Sequence, residues 1–208
     1  MPSLKMLLNY KSIFASIALW ASLLATAFAS DDIIWQLQTP EALASAIRID
    51  AHRWASVCHA LVPGPIHVRQ KTNSEQSWIQ IPVQLVAQDP QSDLCLLAGA
   101  SEGTIRASST LQWNTSAALN VPILVQAYDP HKGQVKIPGR LLAWHCNTDK
   151  SRCLIEHNAP TEHGYSGGAL LDAQQQLIGI LTLRRTDVPS LGYAIPAFNL
   201  LQLLSQTK

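Results

Sequence analysis

Glu162-His163-Gly164-Tyr165-Ser166-Gly167-Gly168-Ala169-Leu170 sets a serine between glycines, immediately ahead of an apolar run. Such a stretch presents a nucleophilic hydroxyl on a tight turn. Glycine at 164 lets the backbone point an N–H at a reacting centre with no Cβ in the way. The N–H groups of Gly164 and Ser166 then form an oxyanion hole for a tetrahedral intermediate. On its own the pattern fits a catalytic turn and an ordinary β-turn alike, so the surrounding chain has to decide.

Outward from this turn the chain reads almost entirely as strands. Behind it lie Ala169 to Leu171, Leu177 to Leu183 and Gly192 to Ile195; ahead lie Val121 to Ala127, Val135 to Ile137, Arg140 to Trp144 and Cys153 to Glu156. The N-terminal half is similar. Ala46 to Ile49 and Trp54 to Val57 flank a turn, Ile66 to Gln70 alternates with period two, and Trp78 to Val86 alternates again before Asp93 to Leu97. Pro82 predicts an edge or bulge inside its run, and Thr39-Pro40-Glu41 resembles a short helix start. Ala107 to Asn120 is polar and irregular, a crossover between two halves. Only Ala197 to Ser205 reads as helix, with a stripe of Leu200, Leu201, Leu203 and Leu204 that packs on the body. Many short strands at this spacing indicate an all-β sandwich or barrel with a C-terminal helix.

The 208 residues carry a net charge of +1 and no basic tract, which argues against a nucleic-acid partner. At the N-terminus, Lys5 and Lys11 precede an apolar stretch ending in Ala27-Phe28-Ala29. That is the layout of a secretory signal peptide over residues 1–29; an uncleaved anchor is the other reading. Cleavage leaves a mature chain of charge −1 with no membrane segment, exported to a bacterial periplasm or secreted. In an oxidising compartment the four cysteines pair. Cys146 and Cys153 flank a polar turn and staple a hairpin, with Cys58 and Cys95 as the second bridge. A zinc site beside His145 and His157 is the rival reading, disfavoured by the Cys spacing. No metal and no cofactor is expected.

A serine nucleophile needs a base, and all seven histidines precede Ser166. An α/β-hydrolase elbow requires its histidine after the serine, so that assembly fails. The order His, Asp, Ser remains open. His59 ends an apolar strand that follows Trp54. Asp93 leads the apolar Asp93-Leu94-Cys95-Leu96-Leu97, where a carboxylate is costly unless paired. A histidine Nδ1–H supplies that partner and leaves Nε2 free as a base. Asp89 competes, but Asp-Pro at the start of a turn explains it.

With these residues in hand the chain resembles the trypsin-like serine proteases, and among them the bacterial HtrA-type protease domain. The resemblance runs from about Ala44 to the end. It rests on Ser56-Val57-Cys58-His59, Asp89-Pro90-Gln91-Ser92-Asp93-Leu94, Gly164-Tyr165-Ser166-Gly167-Gly168, Leu177-Ile178-Gly179-Ile180 and Gly192-Tyr193-Ala194-Ile195-Pro196. It implies two six-stranded antiparallel β-barrels, residues 30–112 carrying His59 and Asp93 and residues 113–208 carrying Ser166 and the helix. The chain departs from the family's usual Gly-Ser-Gly with Ala44-Ser45-Ala46. Tyr165 stands where digestive trypsins carry an aspartate that pairs with a newly cut N-terminus, so activation by that salt bridge is not expected. Nor is a PDZ domain.

The function so implied is a serine endopeptidase acting on polypeptides through His59, Asp93 and Ser166, with the Gly164 and Ser166 N–H groups as oxyanion hole. The alternative is a catalytically weak or inactive binding module of the same fold. By resemblance Pro160, Thr161, Glu162, His163, Leu181, Thr182, Leu183 and Arg184 line the pocket for the residue before the cut. Pro160 offers no carboxylate for a basic side chain, and Leu181 with Leu183 suggests a small apolar one. The oligomeric state is not legible.

Overall fold

The computed structural model describes residues 33–71, 77–100, 111–149, 152–184, 188 and 190–207. The chain divides between Asp31 and Asp32, and all the described residues lie in the second unit, Asp32–Lys208. The proposed leader, residues 1–29, lies outside the described residues, as do most of the turn after Lys71 and the start of the crossover, residues 101–110.

Six strands, β1 (Ile34–Gln38), β2 (Leu43–Arg48), β3 (Arg53–Val57), β4 (Ile66–Lys71), β5 (Trp78–Asp89) and β6 (Leu94–Gly99), close a first barrel in the order β1-β2-β3-β6-β5-β4. A second barrel contains β7 (Pro122–Asp129), β8 (Gly133–Cys146), β9 (Cys153–His157), β10 (Ala169–Asp172), β11 (Leu177–Arg184) and β12 (Gly192–Pro196). Its order, β7-β8-β9-β12-β11-β10, repeats the first, and every pairing is antiparallel. The sequence has no internal repeat, so this duplication lives in topology alone.

Alternation explains the strands. In β5 Ile81 and Val83 are buried while Gln80, Pro82 and Gln84 are exposed. Barrel closure lets each inward side chain meet others across a small interior. In the first barrel Trp35 and Trp54, both fully buried, meet edge to face with ring centroids 5.6 Å apart. In the second, Val125, Leu141, Ile155, Leu170 and Ile178 fill the centre.

Three sequence expectations are corrected, and the one at Pro82 is sharpened. Thr39 to Ala42 is a turn, closed by the Thr39 N–H on the Ala42 carbonyl, not a helix start. Pro82 stays in register with His67, and the bulge falls between Leu85 and Ala87, leaving Val86 half exposed. At Pro82 itself the strand is an edge, as expected, because β6 pairs with β5 only from Val83 onward. The break expected between Ile137 and Arg140 does not occur: β8 runs on through Pro138 and Gly139. Finally, in the helix α1 (Ala197–Ser205) the buried face is Ala197, Asn199, Leu200 and Leu203, whereas Leu201 is exposed. That face reaches from β11 and β12 to β5 and β6, tying the helix to both barrels.

Candidate active site

The 3-10 turn Cys58–Ala60 ends β3 and turns the His59 side chain out of the first barrel. Asp93 sits in the turn just before β6, one residue earlier than the sequence pattern suggests. Its φ of 60° lies in the left-handed region, where aspartate is one of the few non-glycine residues found. Neighbours hold it there. Asp93 Oδ2 lies 2.5 Å from His59 Nδ1, Oδ1 accepts the His59 N–H at 2.9 Å, and its carbonyl accepts the Cys58 N–H at 2.9 Å. Asp89, the competing acid, is spent on the backbone N–H groups of Gln91 and Ser92 and on the Ser92 hydroxyl.

Ser166 lines the same cleft as His59, a cavity of about 380 Å³ walled by Thr161, Glu162, His163, Leu181, Thr182, Leu183 and Arg184. Its Oγ donates to the Thr182 carbonyl at 3.0 Å rather than to His59. Thr182 in turn donates its own hydroxyl to Asp93 Oδ2 at 3.2 Å, so one residue of β11 touches both Asp93 and Ser166. Pro160 is exposed and does not line the cleft. At the rim, Arg184 is engaged by Glu162 Oε2 at 3.1 Å and stands 3.3 Å from His163 Nε2, which neutralises its charge.

The turn that carries Ser166 is held from behind. Gly164 and Gly167 have φ of +96° and +85°, which a side chain would oppose. Ser45, fully buried in β2, donates its hydroxyl to the Gly164 carbonyl at 2.9 Å and its N–H to the Ser166 carbonyl at 2.8 Å, while accepting the Tyr128 N–H. With both carbonyls bound, the Gly164 and Ser166 N–H groups have no acceptor among the described residues. Tyr165 is buried and donates to Asp129 Oδ2 at 3.0 Å. Burial and that bond push its phenol up to about 12. The Asp129 carboxyl is held below its usual range by the His131 and Lys132 N–H groups and by Tyr165. A neutral phenol donating to a carboxylate thus stands where digestive trypsins use an ion pair.

Ser45, Asp129 and the two-sided role of Thr182 were missed in sequence. Only the Ala44-Ser45-Ala46 departure hinted at the first, and nothing marked Asp129 apart from a turn residue. Both pairs of cysteines are bridged, Cys58–Cys95 and Cys146–Cys153, so the hairpin sulfurs do not serve a zinc site. Among the described residues no cluster of three metal-ligating side chains occurs, and no helix is long and apolar enough to cross a membrane.

His157 is the one deeply buried histidine. Burial pulls its imidazole from 6.5 down to about 4, so it is neutral in the fold above that pH. Its folded value lies below its unfolded one, so its contribution is present above 6.5 and is lost as pH falls toward 4. Between those limits the native protein loses on the order of 3 kcal/mol more stability than His157→Gln. Urea midpoints of both proteins between about pH 4 and 7.5 check this; equal pH slopes refute a neutral His157.

Comparison with known proteins agrees with this geometry. Residues 44–180 match the family described as trypsin-like peptidase domain. No curated protein matches the chain. Among solved structures, Rv3671c from M. tuberculosis in an inactive form is 16% identical, with TM-score 0.68, covering 88% of this chain and 93% of that one. The HtrA-type protease AlgW with a tripeptide is 22% identical at TM-score 0.70; the match covers 83% of this chain and 59% of that one. The MamO protease domain of Magnetospirillum magneticum is 17% identical at TM-score 0.69, covering 84% and 97%. Fold, strand order and family match agree: the chain belongs to the trypsin-like peptidase domain family.

Proposed function

We propose that the protein is an exported serine endopeptidase. Ser166 attacks the scissile carbonyl, and His59 Nε2 takes its proton. Asp93 holds the imidazole by Nδ1–H and stabilises the imidazolium. The Gly164 and Ser166 N–H groups receive the oxyanion, whose negative charge grows only in the tetrahedral state. His59 then passes the proton to the leaving amine, and water repeats the sequence on the acyl-enzyme. The observation that carries this reading is the 2.5 Å contact between His59 Nδ1 and Asp93 Oδ2, at the edge of the cleft that Ser166 lines. Two disulfides and the leader-like N-terminus support export.

One observation favours the other reading, a binding module with idle catalytic residues: the Ser166 hydroxyl is given to Thr182 and not to His59. Ser166 and His59 nonetheless line one cleft, and catalytic hydrogen bonds often tighten only with substrate bound. A fluorophosphonate probe decides. The peptidase reading expects stoichiometric labelling of the folded protein, absent in Ser166→Ala. A folded protein that stays unlabelled is a binding module.

A further inference from the structure

Behind the cleft wall lie polar groups that acyl transfer does not use. His157, the last residue of β9, pairs with Gly192 of β12 and is fully buried. Its nearest polar neighbour is the Ala159 backbone, and Nε2, on the Gly192 side, has no hydrogen-bond partner. Thr161 lines the cleft itself. It is 6% exposed, and its Oγ1 is likewise buried and unpartnered. The two meet at Gly192: a Cβ there would come within 2.8 Å of His157 Nε2 and 3.0 Å of Thr161 Oγ1. Both polar atoms therefore crowd the same side of one glycine, near enough for a single functional group to address them.

Buried polar groups in folded proteins almost always have partners; of these two, Thr161 lines the cleft and His157 lies behind it, outside the lining. Their chemistry is specific. A neutral imidazole and a hydroxyl offer donors and acceptors but no charge. The cation at the rim, Arg184, is already held by Glu162. A buried carboxylate or ammonium would find no opposite charge, and an aliphatic side chain would leave the polar atoms unmatched. A primary carboxamide brings an acceptor oxygen, two donor hydrogens and no charge. The position of His157 behind Thr161 favours the longer of the two amide side chains.

Resting on the peptidase reading, we propose that Thr161 and His157 select glutamine as the residue before the scissile bond. This replaces the small apolar side chain that Leu181 and Leu183 suggest in sequence. The test uses one peptide varied at that position among Gln, Glu, Leu, Ala and Lys. Its forms are titrated calorimetrically onto Ser166→Ala and digested by the native protein. The Gln peptide binds and is cleaved at least roughly tenfold better than the Leu and Glu forms. Thr161→Val, which keeps shape and removes the hydroxyl, lowers the Gln-to-Leu ratio by about the same factor, and Thr161→Ser restores it. Preference for any other residue, a ratio that Thr161→Val leaves unchanged, or no binding at all overturns the proposal. Gln-selective binding without cleavage keeps the pocket and ends the peptidase reading, whereas cleavage without Gln selectivity does the opposite.

Discussion

Ser166→Ala lowers kcat/KM on a cleaved peptide by roughly 10⁴- to 10⁶-fold, and adding His59→Ala to it costs almost nothing more. The second half of that result is the diagnostic one. A nucleophile without its base, or a base without its nucleophile, leaves only binding and oxyanion stabilisation, so the two losses do not add. Asp93→Asn falls in the same class by a separate route: an amide in place of Oδ2 cannot fix the tautomer that leaves Nε2 basic, and the loss is about 10⁴-fold. Thr182 lets the two ends be told apart, because its carbonyl holds Ser166 Oγ and its hydroxyl holds Asp93. The measurement is steady-state kinetics of the three single variants and the double. Multiplicative losses would mean that Ser166 and His59 do not act as a unit.

The second large effect is on stability. Cys58–Cys95 closes a separation of 37 residues and Cys146–Cys153 one of 7. Chain entropy assigns the first about 4 kcal/mol and the second about 2 kcal/mol. Against the roughly 5–15 kcal/mol typical of a whole domain, the first is a large share. It also sits at the chemistry. Cys58 precedes His59, Cys95 follows Asp93 by two, and the Cys58 N–H is bound to the Asp93 carbonyl. The Cys58→Ala/Cys95→Ala protein therefore loses about twice the stability of the Cys146→Ala/Cys153→Ala protein and also loses kcat. Urea denaturation with peptide kinetics on the two double variants reads both quantities. Equal stability losses, or an unchanged kcat in the first, would show that the bridge does not brace the base and its acid.

Much of the fold was legible in sequence because burial in a closed barrel imposes period two, and period two survives in the residue string. β4 and β5 were found within a few residues for that reason, and Pro82 marks the edge it predicts. Failures followed where local signals competed with the sheet. Pro138-Gly139 looked like a break, yet Gly139 faces Ala159 so closely that a side chain would not fit there, and the strand runs straight past. Thr39-Pro40-Glu41 carried a local helix signal, but the chain had to reverse between β1 and β2.

By itself the sequence determined the all-β class, the terminal helix, the turn that presents Ser166 and the order of His59, Asp93 and Ser166. Periodicity and residue chemistry are local properties, written within a few positions of one another. Only the tertiary structure decided which groups meet: Ser45 behind the Gly164–Ser166 turn, Asp129 beneath Tyr165, Thr182 between Asp93 and Ser166, and His157 with Thr161 beside Gly192. The first three join residues 36 to 119 positions apart; His157 and Thr161, close in the chain, come together where β12 sets Gly192 beside them. Ser45–Gly164 and Thr182–Asp93 join one barrel to the other and the remaining two form within the second barrel, and no local pattern in the chain encodes the partner at the far end.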